Sequence, residues 1–279
     1  MTRFWKYHGI GNDFIVFDGT KGEPGFTKEQ IARMCDRNFG IGSDGVIYVN
    51  PGIDGSDVTM RIFNTDGTEP EMCGNGIRCL SKFAYDMGIV KKKEFIVHTG
   101  KGNLKAHCTC GPDGKVSSVM IDMGAPILEP DLVPVKGYGD RFIDEYMEVD
   151  DTWVHINAVS MGNPHCVIFD KLEKTQIDRL GPFLEAYTDL FPKKVNVEFA
   201  TVKDGKIDIK VFERGVGWTL ACGTGACATT TAAAINGMVP FDEPVSVHLP
   251  GGSLKVTVDS KLEHVYMDGP AEFVFTGEI

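Results

Sequence analysis

The chain has 279 residues, 42% hydrophobic and 24% charged, which excludes wholesale disorder and suits two domains of ordinary size. Lysine and arginine number 28 against 39 acidic residues, and the net charge of −11 excludes a general binder of nucleic acid or anionic membrane. No stretch reaches the roughly 20 apolar residues of a bilayer span. The opening Met1–Gly9 has no apolar run of signal-peptide type. The expected compartment is therefore the cytoplasm, with reduced thiols.

In chain order, Thr27 to Arg37 carries a helix start, with Thr27 as N-cap and Gln30 three positions on. Asp57 to Phe63 alternates polar with apolar, as a half-buried strand does. A helix is expected over Gly74 to Met87, closed by Gly88. Phe95 to Thr99 and Val116 to Met123 follow as strands, and Pro and Gly interrupt the pattern between Gly124 and Pro130. Beyond lie a helical stretch at Gln176–Leu180, an alternating strand at Lys206–Phe212 and a helix over Gly223 to Asn236, closed by Gly237. Val245–Leu249, Leu254–Val258 and Val265–Met267 read as further strands.

The chain repeats itself. Val58–Asn64 resembles Ile207–Glu213, and in both copies a cysteine follows ten residues after the Phe. That cysteine opens Cys73-Gly-Asn-Gly in the first copy and Cys222-Gly-Thr-Gly in the second, an offset of 149. Gly11-Asn12 pairs with Gly162-Asn163 at 151, and Phe95–Thr99 with Val245–Leu249 at 150. A repeat of this length is a domain. The expectation is an α+β fold of two pseudo-symmetric domains, 1–126 and 127–279, each a strand-rich layer wrapped around a central helix, with the last strand free to return to the first domain. A pseudo-twofold relation would bring the two cysteine-bearing helix starts together.

There are eight cysteines and no Cys-x-x-Cys pair, so neither a zinc site nor a disulfide framework is expected. Cys35, Cys79, Cys108, Cys110, Cys166 and Cys227 are expected as small buried hydrophobes. Cys73 and Cys222 each precede a Gly-x-Gly at a helix N-terminus, where bare amides favour negative charge. This predicts a depressed thiol pKa and a carboxylate site on the backbone. Two opposed thiols could remove a proton from one face of a carbon and return one to the other, inverting it. A redox dithiol and a metal-binding or oxidant-sensing thiol protein remain as alternatives.

At these residues the sequence resembles diaminopimelate epimerase over essentially its whole length. The match runs through His8–Phe14, Arg61–Gly67, Met72–Arg78, Met161–His165, Asn196–Phe199, Glu213–Gly217, Ala221–Ala226 and Leu249–Leu254. The resemblance implies cofactor-independent interconversion of LL- and meso-diaminopimelate, without metal, in lysine and peptidoglycan-precursor biosynthesis, by a homodimer. It implies Cys73 and Cys222 as the catalytic acid/base thiols and His165 and Glu213 as groups that tune them. It further implies Asn12, Asn64, Asn163, Asn196, Glu213 and Arg214 as substrate-holding side chains, and Gly74, Asn75, Gly223 and Thr224 as carboxylate-binding turns. A racemase or epimerase of another amino acid on the same fold is the nearest alternative. Two positions depart from the family's pattern: Trp218 stands where members often carry Glu, and Gly45 where some carry Gln.

Overall fold

The computed structural model describes residues 1–137 and 139–279. The chain forms two compact units, Met1–Asp122 with Asp268–Ile279, and Met123–Met267.

In the first unit the chain runs β1 (Arg3–Gly9), β2 (Asn12–Asp18), α1 (Lys28–Cys35), β3 (Gly45–Pro51), β4 (Val58–Asn64), α2 (Gly74–Asp86), β5 (Glu94–Thr99), β6 (Gly102–Cys110) and β7 (Val116–Asp122). β1 and β2 form a hairpin, β3 lies parallel to β2, and β4 returns antiparallel to β3. The crossover through α2 sets β5 parallel to β4, and β6 and β7 complete an antiparallel meander.

The second unit contains β8 (Glu145–Val149), β9 (Thr152–Ser160), β10 (Pro164–Ile168), α3 (Lys174–Ala186), β11 (Asn196–Lys203), β12 (Lys206–Glu213), β13 (Gly217–Thr219), α4 (Gly223–Ile235), β14 (Val245–Leu249), β15 (Gly252–Val258) and β16, whose range Val265–Gly269 runs past the boundary. From β9 to β15 the pairings repeat those of the first unit: antiparallel, parallel, antiparallel, a parallel crossover through the helix, then antiparallel. β17 (Glu272–Glu278) pairs antiparallel with β1, which is why the last residues count with the first unit. The class is α+β, the same topology twice.

The two central helices are buried for different reasons. In α2 every residue from Gly74 to Ala84 is buried, and Phe83 packs edge-on against Trp5 at 5.0 Å and Tyr7 at 6.1 Å. The buried Lys82 pairs with Asp86 at 3.1 Å and donates to the Val116 carbonyl. α4 is small and apolar all round, as a helix enclosed on every side must be. Its buried Thr230 and Thr231 hydroxyls donate to the Ala226 and Cys227 carbonyls, both at 2.9 Å, so neither is stranded. Gly88 and Gly237 follow the helix ends at φ 73° and 69°, where a side chain would strain the backbone.

Three expectations are corrected. α1 ends at Cys35, not Arg37, because the Asp36 side chain accepts from the Asn38 and Phe39 amides and turns the chain out of the helix. β4 does not alternate: Val58, Thr59 and Met60 are all buried in a strand paired on both sides, so neither face meets water. Cys110 is half-buried at the end of β6, not a core residue. The Thr27 capping box forms, with Gln30 and Thr27 each accepting from the other's amide. Among the described residues no helix is long and apolar enough to cross a membrane.

Phe83→Ala empties a fully buried ring from the first unit's central helix. It should lower unfolding free energy by about 3–5 kcal/mol in a urea titration; a loss under about 1 kcal/mol would show that the ring is not locked in place.

Candidate active site

Each motif cysteine is the N-cap of its helix. Cys73 and Cys222 have extended backbones, and their sulfurs accept from the amides of Gly76 at 3.4 Å and Gly225 at 3.3 Å. Sulfur thus fills the place that a Ser or Asp oxygen usually takes. Crowding explains the second glycine of each motif. A Cβ on Gly76 would sit 3.1 Å from the Ile62 side chain, and one on Gly225 would sit 2.8 Å from Glu198 Oε1 and 3.2 Å from the Cys222 sulfur.

In the first unit, Asn12 begins β2 beside the α2 start. The Cys73 thiol donates to Asn12 Oδ1 at 3.8 Å, and Asn75 Nδ2 donates to the same oxygen at 3.1 Å. Both amides are held from outside. The fully buried Arg78 guanidinium donates to Asn75 Oδ1 at 2.9 Å and to the Gly74 carbonyl at 3.1 Å. Asn12 Nδ2 donates to Asp44 Oδ2 at 2.8 Å. The bonds run one way, from a cation at Arg78 through two amides to an anion at Asp44, so neither asparagine can turn over without opposing a charge. Asn64 lies apart from this cluster, exposed at the end of β4 and donating to Thr68.

Asp44 and its neighbour Asp13 share Arg37, each at 2.7 Å, and Asp13 also pairs with Lys6 at 2.5 Å. Burial opposes ionisation of Asp13, but hydrogen bonds from Arg37 and Lys6 outweigh it and hold the carboxyl at about 2. Gly45, just after Asp44, follows from packing: a Cβ there would meet the Phe63 carbonyl oxygen at 2.5 Å, so the larger residue of some relatives would require the strand to shift.

The second unit assembles Cys222, Gly223, Thr224, Asn163 and His165. Thr224 Oγ1 lies 3.5 Å from the Cys222 sulfur, and Asn163 Nδ2 donates to Thr224 at 3.2 Å. His165 Nε2 faces Asn163 Oδ1 at 3.2 Å, and its Nδ1 faces Glu198 Oε1 at 2.7 Å. His165 and Glu198 are wholly buried. Asn196 donates to the Pro164 carbonyl and accepts from the Arg214 amide, which ties β10, β11 and the turn after β12 together. The Arg214 guanidinium donates to the Lys193 carbonyl at 3.0 Å, and Glu213 accepts from the Thr219 hydroxyl at 2.6 Å. Trp218 packs edge-on to Phe212 at 5.3 Å and lies 6.0 Å from the Phe199 ring, yet it remains exposed on the surface of this unit.

One expectation reverses. Burial pushes the Cys222 thiol well up, the Glu213 and Glu198 carboxylates add to this, and hydrogen bonds from Thr224 and Gly225 oppose it without winning. A helix N-terminus favours thiolate, but a dry pocket with two acids beside it favours thiol. Glu198, Arg78 and Asp44 carried no assignment from sequence. The only signal for Glu198 was a carboxylate inside the buried run of β11. Among the described residues no group of three or more His, Cys, Asp or Glu stands where it could hold a metal ion.

The depressed Asp13 carboxyl contributes stability at every pH above the unfolded value near 4, and that contribution is lost as pH falls through about 2. Denaturant titrations across this window should show the wild type losing more stability than Asp13→Asn; equal losses would mean that the ion cluster does not form.

Comparison with known proteins agrees along the chain. The family model described as "Diaminopimelate epimerase" matches residues 4–129 and 157–274. Diaminopimelate epimerase of Leptospira biflexa is 45% identical over 280 residues, covering 99% of this chain and 98% of the relative. Its counterpart in Desulfitobacterium hafniense is 46% identical over 277 residues, covering 98% and 96%. Among solved structures, a probable proline racemase from Agrobacterium radiobacter has the same fold, with a TM-score of 0.72 at 16% identity, covering 100% of this chain and 93% of that one. The chain belongs to the diaminopimelate epimerase family.

Proposed function

We propose that the protein inverts one α-carbon of LL-2,6-diaminopimelate to give the meso isomer, without a cofactor, using Cys73 and Cys222 as paired acid/base thiols. The observation that carries this reading is the duplicated helix start: in each unit a cysteine sulfur caps a buried helix and accepts from the amide of the second glycine of its motif.

The chemistry follows from the parts. Removing the α-proton leaves a carbanion whose charge spreads into the α-carboxylate. Amides of Gly74, Asn75, Gly223 and Thr224 at the two helix starts would receive that charge, where the helix dipoles are positive. Burial and the Glu213 and Glu198 carboxylates raise the Cys222 thiol, and in the reaction one sulfur removes the α-proton while the other supplies one. The reverse reaction exchanges the roles, as two sites sharing one proton require. His165 and Glu213 tune Cys222 from its own unit. Asn12, Asn64, Asn163, Asn196 and Arg214 supply the neutral donors and acceptors and the one cation that a substrate with two amino-acid ends needs. The product would serve lysine and peptidoglycan-precursor biosynthesis in the cytoplasm, and the working form is a homodimer.

Incubation with LL-diaminopimelate in heavy water should place deuterium at the inverted α-carbon. Cys73→Ala and Cys222→Ala should each lower inversion by about 10²- to 10⁴-fold or more. Full inversion by either variant would remove that cysteine from the mechanism, and faster turnover of a cyclic imino acid than of diaminopimelate would move the substrate assignment to the alternative racemase reading.

A further inference from the structure

The least expected feature of the second unit is Glu198. It is fully buried on β11, one carboxylate oxygen faces His165 Nδ1, and the other has no hydrogen-bond partner among the described residues. A buried carboxylate left half satisfied is costly to keep, and its one contact opens an unbroken line of polar atoms that ends at the Cys222 sulfur. The steps are Glu198 Oε1 to His165 Nδ1 at 2.7 Å, His165 Nε2 to Asn163 Oδ1 at 3.2 Å, Asn163 Nδ2 to Thr224 Oγ1 at 3.2 Å, and Thr224 Oγ1 to Cys222 Sγ at 3.5 Å.

We propose that Glu198 is a positioning residue that acts through His165, Asn163 and Thr224 to set the direction of the hydrogen bond at the Cys222 sulfur, and so whether that sulfur keeps its proton. This rests on the reading of Cys222 as an acid/base thiol. A carboxamide donates at one end and accepts at the other, so a bond direction fixed on one side of Asn163 is passed to the other side. When Glu198 Oε1 accepts from Nδ1 and Asn163 Oδ1 accepts from Nε2, both imidazole nitrogens donate. Asn163 then donates to the Thr224 oxygen, whose hydroxyl hydrogen is left to point at sulfur, and the chain favours thiolate. When Nε2 carries no proton, the amide turns over, Thr224 donates to Asn163, and the sulfur donates its own hydrogen to Thr224. The chain then favours thiol. No proton crosses Asn163. Only bond directions change, and each acid exchanges its own proton with water.

The charged and titratable groups facing this line are Glu198 and the Glu213 carboxylate from β11 and β12, and Cys166 beside His165 on β10. Acting through space alone, the Glu198 charge holds the proton on Cys222. Acting through the chain, it does the opposite, because a negative oxygen facing Nδ1 favours both imidazole nitrogens as donors. The two routes differ in sign.

The test is site-resolved alkylation of the substrate-free full chain by iodoacetamide, followed by peptide mass spectrometry across a pH series. Glu198→Gln keeps an oxygen to accept from Nδ1 but removes the negative charge beside the ring. Cys222 alkylation near neutral pH should slow roughly tenfold, while Cys73 stays within about twofold. Faster alkylation of Cys222 would mean that the through-space charge governs, and no change would mean that neither route reaches the sulfur; either result overturns the proposal. Thr224→Val cuts the chain near its other end. It should slow Cys222 by itself and abolish any further effect of Glu198→Gln, whereas additive effects would overturn the chain even if both rates fall. Should Glu198→Gln fail to fold, Thr224→Val alone decides, an unchanged Cys222 rate being contrary. Wild-type turnover of LL-diaminopimelate is measured separately, so loss of that reading is distinguishable from loss of this one.

Discussion

The structure is organised around a hydrogen bond that is weak in itself, from the third amide of a helix to the sulfur of the cysteine that begins it. Making the cap a thiol places a titratable atom where the helix amides converge and the dipole is positive. It also constrains the surroundings. The residue donating that amide is glycine in both units: a Cβ on Gly225 would crowd Glu198 and the Cys222 sulfur, and one on Gly76 would press on the ends of Ile62 and Ile47. The helix behind it must be buried, because the cap is useful only where water is excluded, and α2 and α4 are the most enclosed helices of their units.

From this shared start the two units diverge in how the surrounding polar groups are fixed. Around Cys73 the amides of Asn12 and Asn75 lie between a buried cation and a carboxylate, Arg78 and Asp44, and their orientation is not free to change. Around Cys222 there is no such cation on the helix: Cys227 stands where Arg78 stands in the first unit, and a His–carboxylate pair lies behind Asn163 instead. One surrounding is pinned by charge and the other can reverse. Such a difference suits the proposed pair, in which one sulfur supplies the proton and the other removes it.

Much of this was legible from the sequence because it is local or repeated. The capping box at Thr27, the helix starts at Cys73 and Cys222 and the glycines that end both helices are short-range patterns with direct physical causes. The near-constant offset between the halves corresponds to one strand order occurring in both units. What escaped was tertiary. Glu198 meets His165 only because β10 and β11 run parallel with His165 opposite Asn196, so a carboxylate two residues along the strand falls on the same face. The raised Cys222 thiol is likewise a product of burial and of two acids from other strands, which outweigh a helix effect that could be read from its neighbours. Gly45 departs from the family's pattern in the sequence, but its cause, the Phe63 carbonyl, lies across a strand pair.

In the proposed reaction both capped sulfurs act on one carbon. A crystal structure of the Cys73→Ala, Cys222→Ala protein with diaminopimelate bound tests it most directly. The account predicts one α-carbon lying between the two substituted positions, with the places of the native sulfurs about 3–4 Å from it on opposite faces and its carboxylate on the amides of both helix starts. A substrate whose α-carbon meets only one of those positions, with the other cap facing solvent or protein, would contradict it.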